Sequence, residues 1–198
     1  MMGFPSTIPM DYPLVLRAAR FSALAHHSRT RDGKPQLRRY TDEPYISHLL
    51  DVAARVSTRT LDPHVISAAI LHDVLEDTTV TAHELWDEFN KTVADLVVQV
   101  TDFYTSEQFP DLNRETRKRK EAERLGRACG AAQLIKAYDL IDNTRTIVVH
   151  DPGFAKVYLP EKERVLAHLT KLDPHVAMEA RGSFPDGYEF TVWAARVG

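Results

Sequence analysis

Within Ile70-Leu71-His72-Asp73-Val74-Leu75-Glu76-Asp77, four ionisable side chains are set into an otherwise apolar run. On a helix the pairs His72/Glu76 and Asp73/Asp77 bring all four heads toward one face, while Ile70, Leu71, Val74 and Leu75 anchor the segment in a core. Crowded carboxylates repel one another and a buried unpaired charge is costly, so the run calls for a counter-charge. An adjacent imidazole and carboxylate suit Mn, Fe, Co or Zn better than the all-oxygen sites of Ca or Mg. Two ligands do not hold an ion, so others must come from elsewhere in the chain. The competing reading is a hydrogen-bonded His-Asp pair in an acidic helix.

The elements around this run supply those ligands. Asp62-Pro63, an N-cap aspartate with proline at the first helical position, predicts a helix that runs directly into His72-Asp73. Pro44 opens an earlier helix through Tyr45, Ile46, Leu49, Leu50, Val52, Ala53 and Val56, and His48 sits in its first turns beside the apolar stripe. Gly130 precedes a helix from Ala131 to about Val149, buried along Leu134, Ile135, Tyr138 and Ile141. Asp139, Asn143 and Thr146 line up along one face of it. Asp and Asn are mildly unfavourable in a helix interior, so a line of them is better explained by a ligand. His48, His72, Asp73 and Asp139 together give two imidazoles and two carboxylates from three helices, a first shell for one divalent transition metal with room left for water.

The rest of the chain reads as further helices and loops. A first helix spans Tyr12 to about His27, and a basic loop follows, with Arg29, Arg31, Lys34, Arg38 and Arg39 as candidate anion-binding groups. Thr81 and Glu84 form a capping box for a helix carrying Leu85, Trp86 and Phe89, and Asn90 starts another through Val93, Leu96, Val97 and Val100. A connection over 103–113 leads to the charged helix Arg114–Arg127, read as a solvated face, with steering of a polyanion as the sharper alternative. Asp151-Pro152-Gly153 reads as a break, Leu159-Pro160 as the lead into a helix, and Asp173-Pro174 as the cap of one ending near Ala180. Strand alternation is not convincing anywhere through the first half. The expected fold class is all-α, a compact multi-helix bundle with a core over about 12–181, a loose arm at 1–11 and a short extended tail at 182–198.

Composition bounds the function. A chain of 198 residues, 43% hydrophobic and 27% charged, fits a single globular domain. The net charge of −3 gives no global sign of binding to a nucleic-acid polymer or a membrane. The single cysteine, Cys129, and the lack of a leader or of an apolar run near membrane-spanning length point to the cytoplasm. Homo-oligomerisation stays open.

These words resemble the HD superfamily of metal-dependent phosphohydrolases, and most of all the hydrolase domain of the Rel/Spo alarmone enzymes and the single-domain small alarmone hydrolases. The resemblance is carried by Ala25-His26 with Arg31 downstream, Glu43-Pro44-Tyr45-Ile46-Ser47-His48, Leu71-His72-Asp73-Val74-Leu75-Glu76-Asp77-Thr78, Val100-Thr101, and Lys136-Ala137-Tyr138-Asp139 followed by Asn143-Thr144-Arg145-Thr146. It implies an HD-domain bundle in which His48, His72, Asp73 and Asp139 hold Mn²⁺ or another divalent transition metal. It implies that Glu76 and Asp77 position and activate water, and that Arg31, Asn143 and Thr146 meet a small-molecule nucleotide. The implied reaction removes the 3′-pyrophosphate of ppGpp or pppGpp. Another nucleotide phosphohydrolase, acting on adenosine alarmones, 5′-mononucleotides or the phosphate of NADPH, and a non-catalytic nucleotide sensor are the alternatives. The sequence departs from the family pattern at Leu49, where proline usually follows the first histidine, and at Leu140 and Asp142, where arginine and histidine are usual. These departures touch the nucleotide side rather than the metal shell.

Overall fold

The structure, a computed structural model, describes residues 12–192. Among these residues ten helices follow one another: α1 (Tyr12–Ser28), α2 (Ile46–Ser57), α3 (Pro63–Ile70), α4 (Val74–Asp77), α5 (Ala82–Glu88), α6 (Lys91–Val100), α7 (Arg114–Arg127), α8 (Gly130–His150), α9 (Pro152–His168) and α10 (Pro174–Gly182). The expected all-α architecture is observed. Extended pairing among the described residues is limited to isolated bridges, Thr30 with Thr78 and Leu37 with Pro44. The expected N-terminal arm and the last residues of the expected tail lie outside the described residues.

Burial explains which helices take the centre. From Val65 to Ile70 every residue of α3 is buried, so this helix has no polar face to turn to water. It sits at the middle with α1, α2, α6 and α8 packed around it. The long helix α8 is the second axis, packed against α2, α3, α6, α9 and α10. Side chains close the exposed amides at the helix starts: Asp62 accepts from the His64 amide at 2.9 Å, Asn90 from Val93 at 3.0 Å and Asn113 from Thr116 at 2.9 Å. The Thr81/Glu84 capping box is closed in both directions.

Four local expectations are corrected. The helix entering His72-Asp73 does not run through them: α3 ends at Ile70, Leu71 (φ −101°, ψ 2°) and Asp73 (φ −98°, ψ −1°) occupy the bridge region, and α4 restarts at Val74. The Val74 amide closes on the Leu71 carbonyl at 3.0 Å, so the turn is tighter than an α-turn. His72 and Asp73 therefore sit in a corner between two helices rather than on one straight face with Glu76 and Asp77. Pro44 does not open α2, because it is bridged to Leu37, and Tyr45 is the N-cap. The Asp151-Pro152-Gly153 break is itself a helix start, since Asp151 accepts from the Phe154 amide at 2.9 Å, and α9 then carries Pro160 in its interior. Finally, α10 reaches Gly182, and residues 183–192 fold back onto α9 instead of extending. There the buried Glu163 accepts from the amides of Thr191 at 2.7 Å and Val192 at 2.5 Å. The rings of Phe184, Tyr188 and Phe190 cluster at centroid distances of 4.7 to 5.1 Å.

Next to Glu163, Lys162 is buried with its Nζ 2.5 Å from Ser183 Oγ and 4.3 Å from the centroid of Phe184. Burial pulls its pKa from 10.5 down to about 7. Between those values the unfolded chain binds more protons at this group than the folded one, so the group makes stability rise with pH across that window. Lys162→Met is expected to remove this rise. In urea unfolding at pH 7 and about pH 9.5, the parent should gain stability relative to the variant on going to the higher pH. Parallel pH dependence of the two proteins would contradict the assignment.

Candidate metal centre

Three elements converge on one buried point. His48 comes from the first turn of α2, His72 and Asp73 from the corner between α3 and α4, and Asp139 from the middle of α8. One ligand atom each from His48, His72 and Asp139 lie within 4.8 Å of one another. His48 Nε2 is 3.4 Å from Asp139 Oδ1 and 3.7 Å from Asp73 Oδ2. His72 Nε2 is 3.2 Å from Asp73 Oδ2 and 3.7 Å from Asp139 Oδ1. Of the four residues expected to form a metal shell, His48, His72 and Asp139 form one compact group, and Asp73 adjoins it through both imidazoles.

The far side of each ring settles which nitrogen faces the cluster. His72 Nδ1 is 2.8 Å from the Ala69 carbonyl and His48 Nδ1 is 2.6 Å from Asp142 Oδ2. A carbonyl and a carboxylate only accept, so in both neutral rings Nδ1 carries the proton and Nε2 carries the lone pair. Both Nε2 atoms are buried and have no hydrogen-bond partner. Orienting hydrogen bonds on Nδ1 with bare, convergent Nε2 atoms is what metal-ligating histidines present. This donor set fits a divalent transition metal.

In the ion-free site, protons compete with a cation for the same two nitrogens. Burial opposes charging either ring, yet the facing carboxylates outweigh it and raise the pKa of both, His72 well above the ordinary value. Burial likewise opposes ionisation of Asp139, but Lys136 and the two imidazoles hold it well below the usual carboxylate range. Asp73 is also lowered, with His72 overcoming its burial. Without an ion, protons on the imidazoles and the Lys136 ammonium balance these carboxylates, and a bound cation would take the place of the protons on Nε2.

The remaining predicted residues surround this cluster unevenly. Glu76 Oε1 accepts from the Asp102 amide at 2.7 Å, and burial together with Asp102 pushes its pKa up to about 8. Asp77 Oδ2 accepts from Gln36 Nε2 at 2.8 Å, and Gln36 in turn is held by His26 Nδ1 at 2.7 Å. Asn143 Nδ2 donates to Asp139 Oδ1 at 2.6 Å, and Thr146 Oγ1 accepts from Arg38 at 3.0 Å. Arg31 lies apart from them: its guanidinium binds the carbonyls of Glu76 at 3.0 Å and Leu75 at 3.3 Å. Arg31 lines an opening of about 530 Å³ beside Glu76 and Asp77, whereas Asn143 and Thr146 line one of about 180 Å³ with Arg38, Arg39, Tyr40 and Tyr45. A third cleft of about 280 Å³ between α7, α8 and α9 reaches Asp139 and Asn143, and Lys118, Lys136, Phe154 and Tyr158 also line it.

The departure at Asp142, expected to touch the nucleotide side, instead lies against the metal shell, 2.6 Å from His48 Nδ1, and two further residues around the centre had no role assigned from the sequence. Lys136 bonds Asp139 Oδ2 at 2.9 Å, and Tyr45 donates its hydroxyl to Asp73 Oδ2 at 2.6 Å. Lys136 and Asp142 stand three positions either side of Asp139 on α8, a helical spacing that marks them as its neighbours. The basic helix α7 is largely neutralised by its own partners, Arg114 by Glu161 at 2.7 Å and Arg119 by Glu123 at 2.8 Å. Lys118 reaches toward the centre, bonding Asp102 at 2.9 Å.

Residues 18–170 match the family model described as HD domain. The chain is 31% identical over 139 residues to guanosine-3′,5′-bis(diphosphate) 3′-pyrophosphohydrolase MESH1 of Drosophila melanogaster, covering 69% of this chain and 71% of that one. It is 37% identical over 168 residues to the guanosine-3′,5′-bis(diphosphate) 3′-pyrophosphohydrolase of Aquifex aeolicus, covering 83% of this chain but only 22% of that longer protein. Its structure superposes on that of a metazoan ortholog of SpoT that hydrolyzes ppGpp, with a TM-score of 0.71, 25% identity, and coverage of 92% of this chain and 96% of the other. The chain belongs to the HD domain family, and its relatives there are MESH1 and the SpoT-type proteins.

Proposed function

We propose that this protein is a metal-dependent hydrolase that removes the 3′-pyrophosphate from guanosine-3′,5′-bis(diphosphate) and its pentaphosphate, releasing pyrophosphate with GDP or GTP. The observation that carries the reading is the pair of buried, partnerless Nε2 atoms of His48 and His72 facing Asp73 and Asp139. Relatives named for this reaction, one of them similar over 71% of its own length, supply the substrate class. His48, His72, Asp73 and Asp139 are the metal ligands in this reading, and Mn²⁺ is the proposed ion. No helix among the described residues is long and apolar enough to cross a membrane. We read the chain, 1–198, as a single domain with its core over about 12–181 that does this work, in the cytoplasm.

The chemistry divides among groups already placed. When bound, a divalent ion supplies Lewis acidity toward a phosphoryl oxygen and makes water more acidic. Water attacks the phosphorus attached to the ribose 3′-oxygen, that phosphorus–oxygen bond breaks, and the water oxygen leaves in pyrophosphate. Glu76 accepts the water proton and returns it to the ribose 3′-oxygen, so atoms and charge balance. A carboxyl held near pKa 8 is suited to both transfers near neutral pH, and with Oε1 engaged by the Asp102 amide, Oε2 is the oxygen available to water. Asp77, fixed by Gln36, orients that water. Cations sit at each opening, with Arg31 at one, Arg39 at another and Lys118 at the third, and they offset phosphate charge as it develops. Asn143 and Thr146, on the same helix as Asp139, are the groups that meet the nucleotide in this reading.

Two outcomes test this account. Glu76→Gln should retain Mn²⁺ binding and lose about 10²- to 10⁴-fold in turnover. The assay measures pyrophosphate release from guanosine-3′,5′-bis(diphosphate) against a panel of other nucleotides. An unchanged rate contradicts the role of Glu76, and phosphate release from another nucleotide in its place contradicts the substrate. Mn²⁺ added to chelator-treated protein at about 100 times its Kd should raise stability by about 2.7 kcal/mol in thermal or urea unfolding. His72→Ala should abolish that increment, and an equal gain in the variant would place the ion elsewhere.

A further inference from the structure

Helix α8 grips His48 from both ends of its ring. Asp139 Oδ1 lies 3.4 Å from Nε2, and Asp142 Oδ2, almost one turn further along the same helix, lies 2.6 Å from Nδ1. The same Asp142 oxygen takes a guanidinium nitrogen of Arg38 at 2.8 Å, and that nitrogen also reaches Thr146 Oγ1 at 3.0 Å. The side chain of His48 is fully buried, and those of Arg38 and Asp142 are only 10% and 13% exposed. Arg38 is itself fixed by the basic loop, since its amide donates to the Glu43 carbonyl at 2.8 Å and its carbonyl accepts from the Asp42 amide at 3.0 Å. A continuous buried path therefore runs from the loop through Arg38 and Asp142 to the ring of His48.

Each member of this path has a physical task. An imidazole can rotate about its side-chain bonds and exchange tautomers, and either change would turn Nε2 away from His72 and Asp139 or place a proton on it. A carboxylate on Nδ1 opposes the rotation and keeps the proton of the neutral ring on Nδ1. Asp142 also brings a third negative charge beside a ring already faced by Asp73 and Asp139, and an uncompensated buried carboxylate is strongly destabilising. The Arg38 guanidinium cancels that charge and fixes the direction of the carboxylate. We propose that Asp142 and Arg38 are a positioning pair that locks His48 in its Nδ1–H tautomer, so that metal affinity depends on how the loop holds Arg38. The inference rests on the metal-centre reading above, but its first readout needs no metal.

The test uses the full chain with ¹⁵N-labelled histidine and, separately, calorimetric titration with MnCl₂. In the metal-free wild type, followed upward in pH until the His48 ring is neutral, long-range ¹H–¹⁵N correlation should show the Nδ1–H tautomer; a neutral ring carrying Nε2–H with a bare Nδ1 overturns the proposal directly. Asp142→Leu removes the acceptor and should give mixed tautomers and a 10- to 100-fold weaker Mn²⁺ affinity, the loss typical of an outer partner of a metal ligand. Asp142→Asn keeps an acceptor oxygen and should recover the tautomer and most of the affinity. Should the leucine variant fail to fold by circular dichroism, the wild-type tautomer and the asparagine variant still decide the question. Arg38→Met should change Mn²⁺ affinity in the native background and have little effect in the Asp142→Leu background. An Arg38 effect that persists undiminished there, or an Asp142→Leu affinity within about twofold of wild type, overturns the pair. A wild type that binds no Mn²⁺ defeats the metal reading instead, and leaves the tautomer measurement to judge this inference alone.

Discussion

Two imidazole nitrogens buried without a hydrogen-bond partner, each between 3.2 and 3.7 Å from carboxylate oxygens, are the constraint to which the rest of the structure answers. Buried polar atoms are nearly always paired, and buried carboxylates need positive charge close by. One cation at the meeting point satisfies both requirements at once. It also explains why His72 and Asp73 lie in a corner rather than within a helix: the turn at Leu71–Asp73 offers adjacent side chains to a single point, which a regular helix, with neighbours about 100° apart, does not.

The scaffold holds that point from several directions. Lys136 and Asn143 take the two oxygens of Asp139, Tyr45 takes Asp73, and Asp142 and Ala69 take the outer nitrogens of the histidines. The loop between α1 and α2 adds a second layer, with Gln36 bridging His26 to Asp77 and Arg38 bridging to α8. The central helix α3, apolar on all sides, fixes the corner in the middle of the core, and α8 crosses it with Asp139 at the facing level. Chemistry and stability thus share residues, and the loop that borders the openings is tied to the same network.

Much of this was legible because its signals are local. Caps at Asp62, Thr81 and Asn90, and the apolar spacing of α2, α6 and α8, place most helices within a residue or two. The ionisable cluster at 72–77 identifies the centre without reference to contacts. What escaped detection depends on distances along the chain or on geometry that residue spacing does not encode. A buried apolar run looks alike in an α-helix and in a tight turn, so the corner at Leu71–Asp73 left no mark. Asp151-Pro152-Gly153 serves equally as a break or as a cap with proline at the first helical position, and only the Asp151–Phe154 bond distinguishes them. Within the basic loop, charge cannot tell Arg31 from Arg38, because what separates them is the partner each finds. Arg31 meets backbone carbonyls only 44 and 45 positions on, while Arg38 meets Asp142, 104 positions on.

The central claim is that His48, His72, Asp73 and Asp139 bind one transition-metal ion. The most direct measurement is anomalous diffraction at the manganese edge from crystals grown with MnCl₂. The account predicts one strong peak between the Nε2 atoms of His48 and His72, within bonding distance of a carboxylate oxygen from Asp73 and one from Asp139. No peak at that position, or a peak at another cluster with the two imidazole nitrogens left bare, would contradict it.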